Sequence, residues 1–217
     1  KYLMNEGFSK NISLAVSEHY FPRFYKDDLP STKYGSILAI SDKLETIISI
    51  FFIGKRPSGS SDPYALRRNL NGIIQIIWQN NFDLKLDKLI LKLTRHWCSK
   101  FKTLNINHQK IFDDLIEFSR QRIISYLEDS FYDREIISST CESENIRHLN
   151  ILDIADLKNR IETLQKFKLG KNYSTLIKII SRYSKLANKG NLENHVITCK
   201  DRVNKDLFEK QSEIDVF

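Results

Sequence analysis

Hydrophobic positions recur at helical spacing along most of the chain. Residues 11–20 place Ile12, Ala15, Val16 and His19 on one helical face. Residues 21–32, with two prolines and an acidic pair, read as a connecting loop. Residues 34–52 form a long apolar helix whose Ile37, Ile40, Leu44, Ile47, Ile48 and Phe51 share a face. The run from Ile47 to Ile53 is rich in β-branched residues and could alternatively be a strand; the spacing upstream continues through it and favours a helix. A further helix is expected over 62–78, entered through Asp62 as cap and Pro63 at the first helical position. After a polar turn at 79–81, amphipathic helices are expected over 82–104, 109–130 and 153–168. Residues 131–150 carry no clear period. A last helix is expected over 174–188, with Ser174 as cap and Gly190 as stop. Without repeats, low-complexity tracts or alternating strands, the expected fold is all-α.

Composition adds that the chain can build a core. Of 217 residues, 41% are hydrophobic, and only four are proline and seven glycine, which argues against disorder. No apolar run reaches membrane-spanning length. The first residues do not read as a signal peptide, and the lone methionine at position 4 suggests a piece of a longer chain. Cys98, Cys141 and Cys199 are scattered and odd in number. They suggest a reducing compartment, and neither a disulfide framework nor a zinc site.

The net charge of +7 is modest, but its distribution is not even. Between 158 and 189, Lys158, Arg160, Lys166, Lys168, Lys171, Lys178, Arg182, Lys185 and Lys189 face a single acid, Glu162. Within the last expected helix, Lys178, Arg182, Lys185 and Lys189 share one face, while Leu176, Ile180, Tyr183 and Ala187 take a side expected to face a core. Such a stripe suits the tracking of a phosphate backbone; the bland reading is a solvated face. Tyr173 and Tyr183 could stack on unpaired bases, although core packing is the simpler fate of Tyr183.

The most specific stretch is Pro57-Ser58-Gly59-Ser60-Ser61-Asp62-Pro63-Tyr64-Ala65-Leu66-Arg67-Arg68. It resembles the PTGS-DPFALRR signature of the β subunit of bacterial-type glycyl-tRNA synthetase, with Ser58 and Tyr64 in place of Thr and Phe. Glu18 to Phe24 resembles that family's EHY-PRF, Ser41 to Thr46 its ADKLDT, and Ile53-Gly54 its IG. Downstream, 118–127 is similar to F--DRL---L, with Arg122 at the Arg and Gln121 replacing the Asp. Leu152 to Ile154 followed by Ala187 to Lys189 resembles LD-D…ANK, and Val203 with Leu207 to Glu209 resembles V---LFE. The first eighty residues match strongly, the remainder thinly but in order.

The resemblance implies the end of an HD-like helical domain over 1–80, then a helical anticodon-binding (DALR-like) domain over 81–217. It implies a C-terminal part of the β subunit that binds tRNA-Gly and supports the glycine and ATP site of an α subunit in an α2β2 enzyme. ATP and Mg²⁺ would be used at the α subunit, and this piece would bind no cofactor and no metal and carry no catalytic residue. The expected location is the cytoplasm or an organelle stroma such as that of a plastid.

Read as chemistry, the chain holds no complete site. Asp42 matches a late metal-binding aspartate of HD-type hydrolases, but no His-Asp dipeptide occurs. Several converging ligands are needed for a hard cation, so Asp42 is expected to make polar contacts with Lys43 or Lys33 and His19 to pack on Tyr20. His96, His108, His148 and His195 lack partners at ligand spacing. The 58–61 loop is expected to orient a helix more than to cradle a phosphate, because Asp62 puts a carboxylate where the anion would sit. Arg67 and Arg68 diverge by about 100° on a helix and should not share a partner. One could pair with Asp62 or Asp42, the other reach RNA or a neighbouring subunit. The expected RNA-binding residues are Lys178, Arg182, Lys185, Lys189, Arg67, Arg68 and Arg122. Readings from other classes are a degenerate HD-type phosphohydrolase or nucleotide sensor, and a scaffold docking an acidic partner.

Overall fold

A computed structural model of the chain describes residues 2–24, 26–59, 61–101, 107–130, 132–141 and 151–189. Among these the chain is all-α, with nine helices and only isolated bridges at Ser58–Ser61 and Lys85–Asp153. One compact unit, Lys1–Lys168, holds α1 (Tyr2–Asn5), α2 (Lys10–Glu18), α3 (Lys33–Phe52), α4 (Leu66–Asn80), α5 (Leu86–Lys100), α6 (His108–Asp129), α7 (Arg134–Cys141) and α8 (Ile154–Lys168). A second unit, Leu169–Phe217, holds α9 (Tyr173–Lys189).

The core of the first unit is one continuous cluster centred on α3 and α4. Ile40, Leu44, Ile47, Ile48 and Phe51 of α3 pack with Leu70, Ile73, Ile74 and Ile77 of α4. The β-branched run at 47–52 is therefore helical: its residues continue a buried stripe, and burial outweighs a weak strand preference. Leu115 and Ile123 of α6 and Leu157 and Ile161 of α8 complete the same cluster. The expected domain junction at 80/81 falls inside this unit. Across it, the Trp78 indole donates to the Ile154 carbonyl at 3.0 Å, and Trp78 meets Tyr126 and Tyr132 edge-on.

The α2–α3 corner is held by polar groups. Ser9 caps α2 and Thr32 caps α3, accepting from the Ile12 and Gly35 N–H groups. Buried Glu18 accepts from the N–H and hydroxyl groups of both Ser31 and Thr32. Burial alone would raise the Glu18 pKa, but those four hydrogen bonds hold it below the usual range. A side chain at Gly35 would run into the Glu18 carboxylate, so the helix needs glycine there. Lys43, also buried, donates to the Tyr20 carbonyl at 3.1 Å, and burial lowers its pKa.

Several expected boundaries move. Helix α4 begins at Leu66, not near Asp62, and Pro63 is not its first residue. Pro63 and Tyr64 instead lie in a turn closed by the Ala65 N–H on the Asp62 carbonyl at 3.0 Å. Ala65 is left-handed, with φ +54°. The helix expected over 82–104 starts at Leu86, because the Leu86 N–H is drawn to the Leu152 carbonyl. Helix α7 lies in the stretch left unassigned, and α9 starts at Tyr173, so Ser174 is inside it and no cap. The expected stop at Gly190, and His148, His195, Cys199 and the 203–209 match, lie outside the described residues.

Candidate nucleic-acid interface

The signature stretch folds as a closed turn that delivers α4. Ser58 and Ser61 exchange N–H to carbonyl hydrogen bonds at 3.2 and 2.9 Å, and Gly59 between them has φ +49°. Those N–H groups are consumed within the turn. The first free N–H groups of α4 are also taken: the Asp62 carboxylate accepts from Leu66 at 2.8 Å and from Arg67 at 2.9 Å. A short acidic side chain four residues back thus caps the helix across the turn. It is the Arg67 backbone, and not either guanidinium, that meets Asp62, which corrects the expected side-chain pair.

The two arginines are not separated as their spacing suggests. Arg67 and Arg68 line one cleft of about 230 Å³, together with Pro22, Phe24, Asp62, Asn71, Gly72, Gln75 and Arg122. Arginine stems are long enough to converge from diverging positions on α4. Arg122 arrives from α6, with its side chain 17% exposed and its Nε donating to the Asn71 side-chain oxygen at 2.8 Å. Its Nη2 stands 3.5 Å from Asp129. Burial lowers the Arg122 pKa, Asp129 opposes that, and the like charge of Arg67 adds to the lowering. Three expected RNA-binding residues are therefore brought together. Asn71 and Gln75 were missed, although Arg67, Asn71 and Gln75 stand at i, i+4 and i+8, a polar face that the α4 pattern already contained.

The other four expected residues lie on α9, in the second unit. Lys178, Arg182, Lys185 and Lys189 are all exposed, and none forms an ion pair among the described residues. The side expected to be buried is exposed as well: Ile180 by 56% and Tyr183 by 66%. A single helix can shield only one face, and then only against a second element. Exposed Lys88, Lys92 and Arg95 form another basic face on α5, which the sequence reading missed.

His19 and Asp42 line a shared surface groove with Glu45, but His19 stacks on Tyr20 at 3.8 Å and its Nδ1 meets the Val16 carbonyl. The polar contacts expected of Asp42 and Lys43 differ in detail, since Lys43 reaches backbone carbonyls instead. Among the described residues no group of three or more His, Cys, Asp or Glu side chains is placed to hold a metal ion. Cys98 is a free thiol, the buried Cys141 sulfur stands 3.6 Å from the Thr140 hydroxyl, and no described helix is long and apolar enough to cross a membrane.

Comparison with known proteins agrees with the signature. Residues 1–142 match the family model described as glycyl-tRNA synthetase beta subunit. The glycine–tRNA ligase beta subunit of Acaryochloris marina is 35% identical over 215 residues, 98% of this chain and 30% of the relative. That of Trichodesmium erythraeum is 32% identical over 221 residues, 99% and 30%. That of Buchnera aphidicola is 33% identical over 209 residues, 96% and 28%. The chain thus spans about 30% of the length of such relatives. With its turn-and-helix signature in place and the family model covering most of the chain, the protein belongs to the glycyl-tRNA synthetase beta-subunit family.

Proposed function

We propose that this chain is a tRNA-binding part of a glycine–tRNA ligase beta subunit, with tRNA-Gly as its RNA and the α subunit of an α2β2 enzyme as its protein partner. In that enzyme glycine and ATP with Mg²⁺ are handled by the α subunit, in the cytoplasm or an organelle stroma. The HD-like and anticodon-binding (DALR-like) assignments for 1–80 and 81–217 belong to the same proposal, as does the absence of adenylate chemistry from this chain.

The observation that carries the reading is the basic stripe on α9. An exposed helix ordinarily mixes signs at i,i+4, whereas Lys178, Arg182, Lys185 and Lys189 are exposed along one face and form no ion pair among the described residues. Their ~1.5 Å rise per residue spreads four charges over about 16 Å, a span that suits successive backbone phosphates. Phosphate contacts position an RNA without reading it.

The test is equilibrium binding of the chain to tRNA-Gly and to an anticodon-mutated tRNA-Gly across a salt series. Each single alanine substitution in the stripe should weaken both RNAs alike and reduce the slope of log K against log salt by up to about 0.7–0.9. A quadruple alanine variant with unchanged affinity and slope would overturn the role of α9. Pyrophosphate exchange by the purified chain alone would contradict its non-catalytic part.

A further inference from the structure

We propose that the cleft between the 62–65 turn, α4 and α6 is a phosphate-binding site in which Arg67, Arg68 and Arg122 hold one compact anionic group. The proposal deepens the tRNA reading and rests on it for the source of that group, an RNA backbone phosphate.

Three arginines from two helices line the cleft with a single acidic residue, Asp62, which leaves a net charge of +2 among the lining residues. Both Asp62 oxygens are already committed to the Leu66 and Arg67 N–H groups. Asp129, which is not among the lining residues and is 65% exposed, pairs with the Arg122 Nη2 at 3.5 Å. Neither Arg67 nor Arg68 has an ion pair among the described residues, and Arg67 is near enough to Arg122 to disfavour its charge. Like charges gathered around a cleft repel, and an anion seated between them relieves that repulsion. The Arg122 fork is already oriented by Asn71, and planar guanidinium groups match phosphate oxygens two at a time. Asn71 and Gln75 supply neutral polar groups on the same wall.

Size narrows the ligand. A volume of about 230 Å³ is below the ~300–1,000 Å³ of pockets that enclose drug-sized molecules. It suits a phosphate with a few waters and not an intact nucleotide. A phosphodiester in a strand passing over the cleft would insert its oxygens and leave its bases outside.

The test compares the chain with its Arg67→Ala/Arg68→Ala variant. Arg122 is left in place because it bonds Asn71, and both proteins are first checked by thermal denaturation. Inorganic phosphate is titrated and followed by phosphorus-31 NMR line broadening, with chloride at matched ionic strength as control. Labelled tRNA-Gly is titrated separately. The expected result is broadening with the parent chain that is lost in the variant, tRNA affinity reduced about tenfold or more, and excess phosphate competing with tRNA only in the parent. An Arg67→Lys variant should recover part of the affinity but not the full bidentate contact. Equal broadening and equal tRNA affinity in both proteins would overturn the site while leaving the tRNA reading intact. Phosphate binding lost in the variant, with no tRNA binding by either protein, would uphold the arginine site and overturn its RNA source.

Discussion

Replacing Asp62 by alanine is expected to cost about 0.5–2 kcal/mol, the usual range for a lost helix cap. The carboxylate holds two N–H groups of α4 that have no other partner. Thermal denaturation of Asp62→Ala checks this, and an unchanged melting temperature would contradict it. The sequence marked Asp62 as a cap correctly but placed the helix too early. Its local pattern of Asp-Pro followed by good helix formers fits a first turn. The left-handed Ala65 interposes a separate turn instead, and nothing in an alanine announces that conformation. Arg67 and Arg68 carry a similar lesson. Their angular separation on α4 was readable, yet that both line one cleft with Arg122 depends on where α6 lies.

At the scale of elements, the α2–α3 corner decides how the first unit begins. Glu18→Ala would leave the Ser31 and Thr32 donors without their shared acceptor in a partly buried site. A loss of about 1–3 kcal/mol is expected, read from the urea midpoint. Gly35→Ala should destabilise through the same contact, because the added carbon meets the Glu18 carboxylate. The two losses should be less than additive in the double variant, since removing the Glu18 carboxylate relieves the shortest contact at position 35 but leaves those with the residue-18 Cβ and the Thr32 hydroxyl, each 2.9 Å. Much of the EHY-PRF and ADKLDT resemblance is thereby given a structural use: Glu18 clasps the loop, and Lys43 secures the Tyr20 carbonyl. Helix α9 contrasts with this corner. Its four basic side chains make no described ion pair, so alanine there should leave stability within ~0.5 kcal/mol while changing RNA binding. Loss of folding in those variants would count against the exposed stripe.

For the molecule as a whole, acid is expected to be the weak direction. The Asp27 carboxyl is lowered to about 2, first by the hydrogen bond from the Arg23 side chain and then by the Arg23 N–H. Asp133 is lowered by Lys168 in the same way, and Glu18 by its four donors against burial. Each of these groups binds a proton more weakly when folded. Their contribution is therefore complete above the ordinary carboxylate range, about pH 4, and lost as pH falls toward about 2. Urea midpoints at pH 7, 4 and 2.5 should decline mainly over the last interval, and less steeply in Asp27→Asn. A pH-independent midpoint would contradict this. The sequence by itself determined the helical class, the order of the long helices, the family signature and the basic stripe. All of these follow from short-range periodicity, local capping chemistry and the linear order of residues. Only the tertiary structure decided that residues on both sides of 80/81 share one core, that α7 forms in a stretch without clear period, and that Arg122 lines one cleft with Arg67 and Arg68. These depend on which surfaces α4, α6 and α8 bury against one another, and burial between distant segments leaves no fixed spacing along a chain.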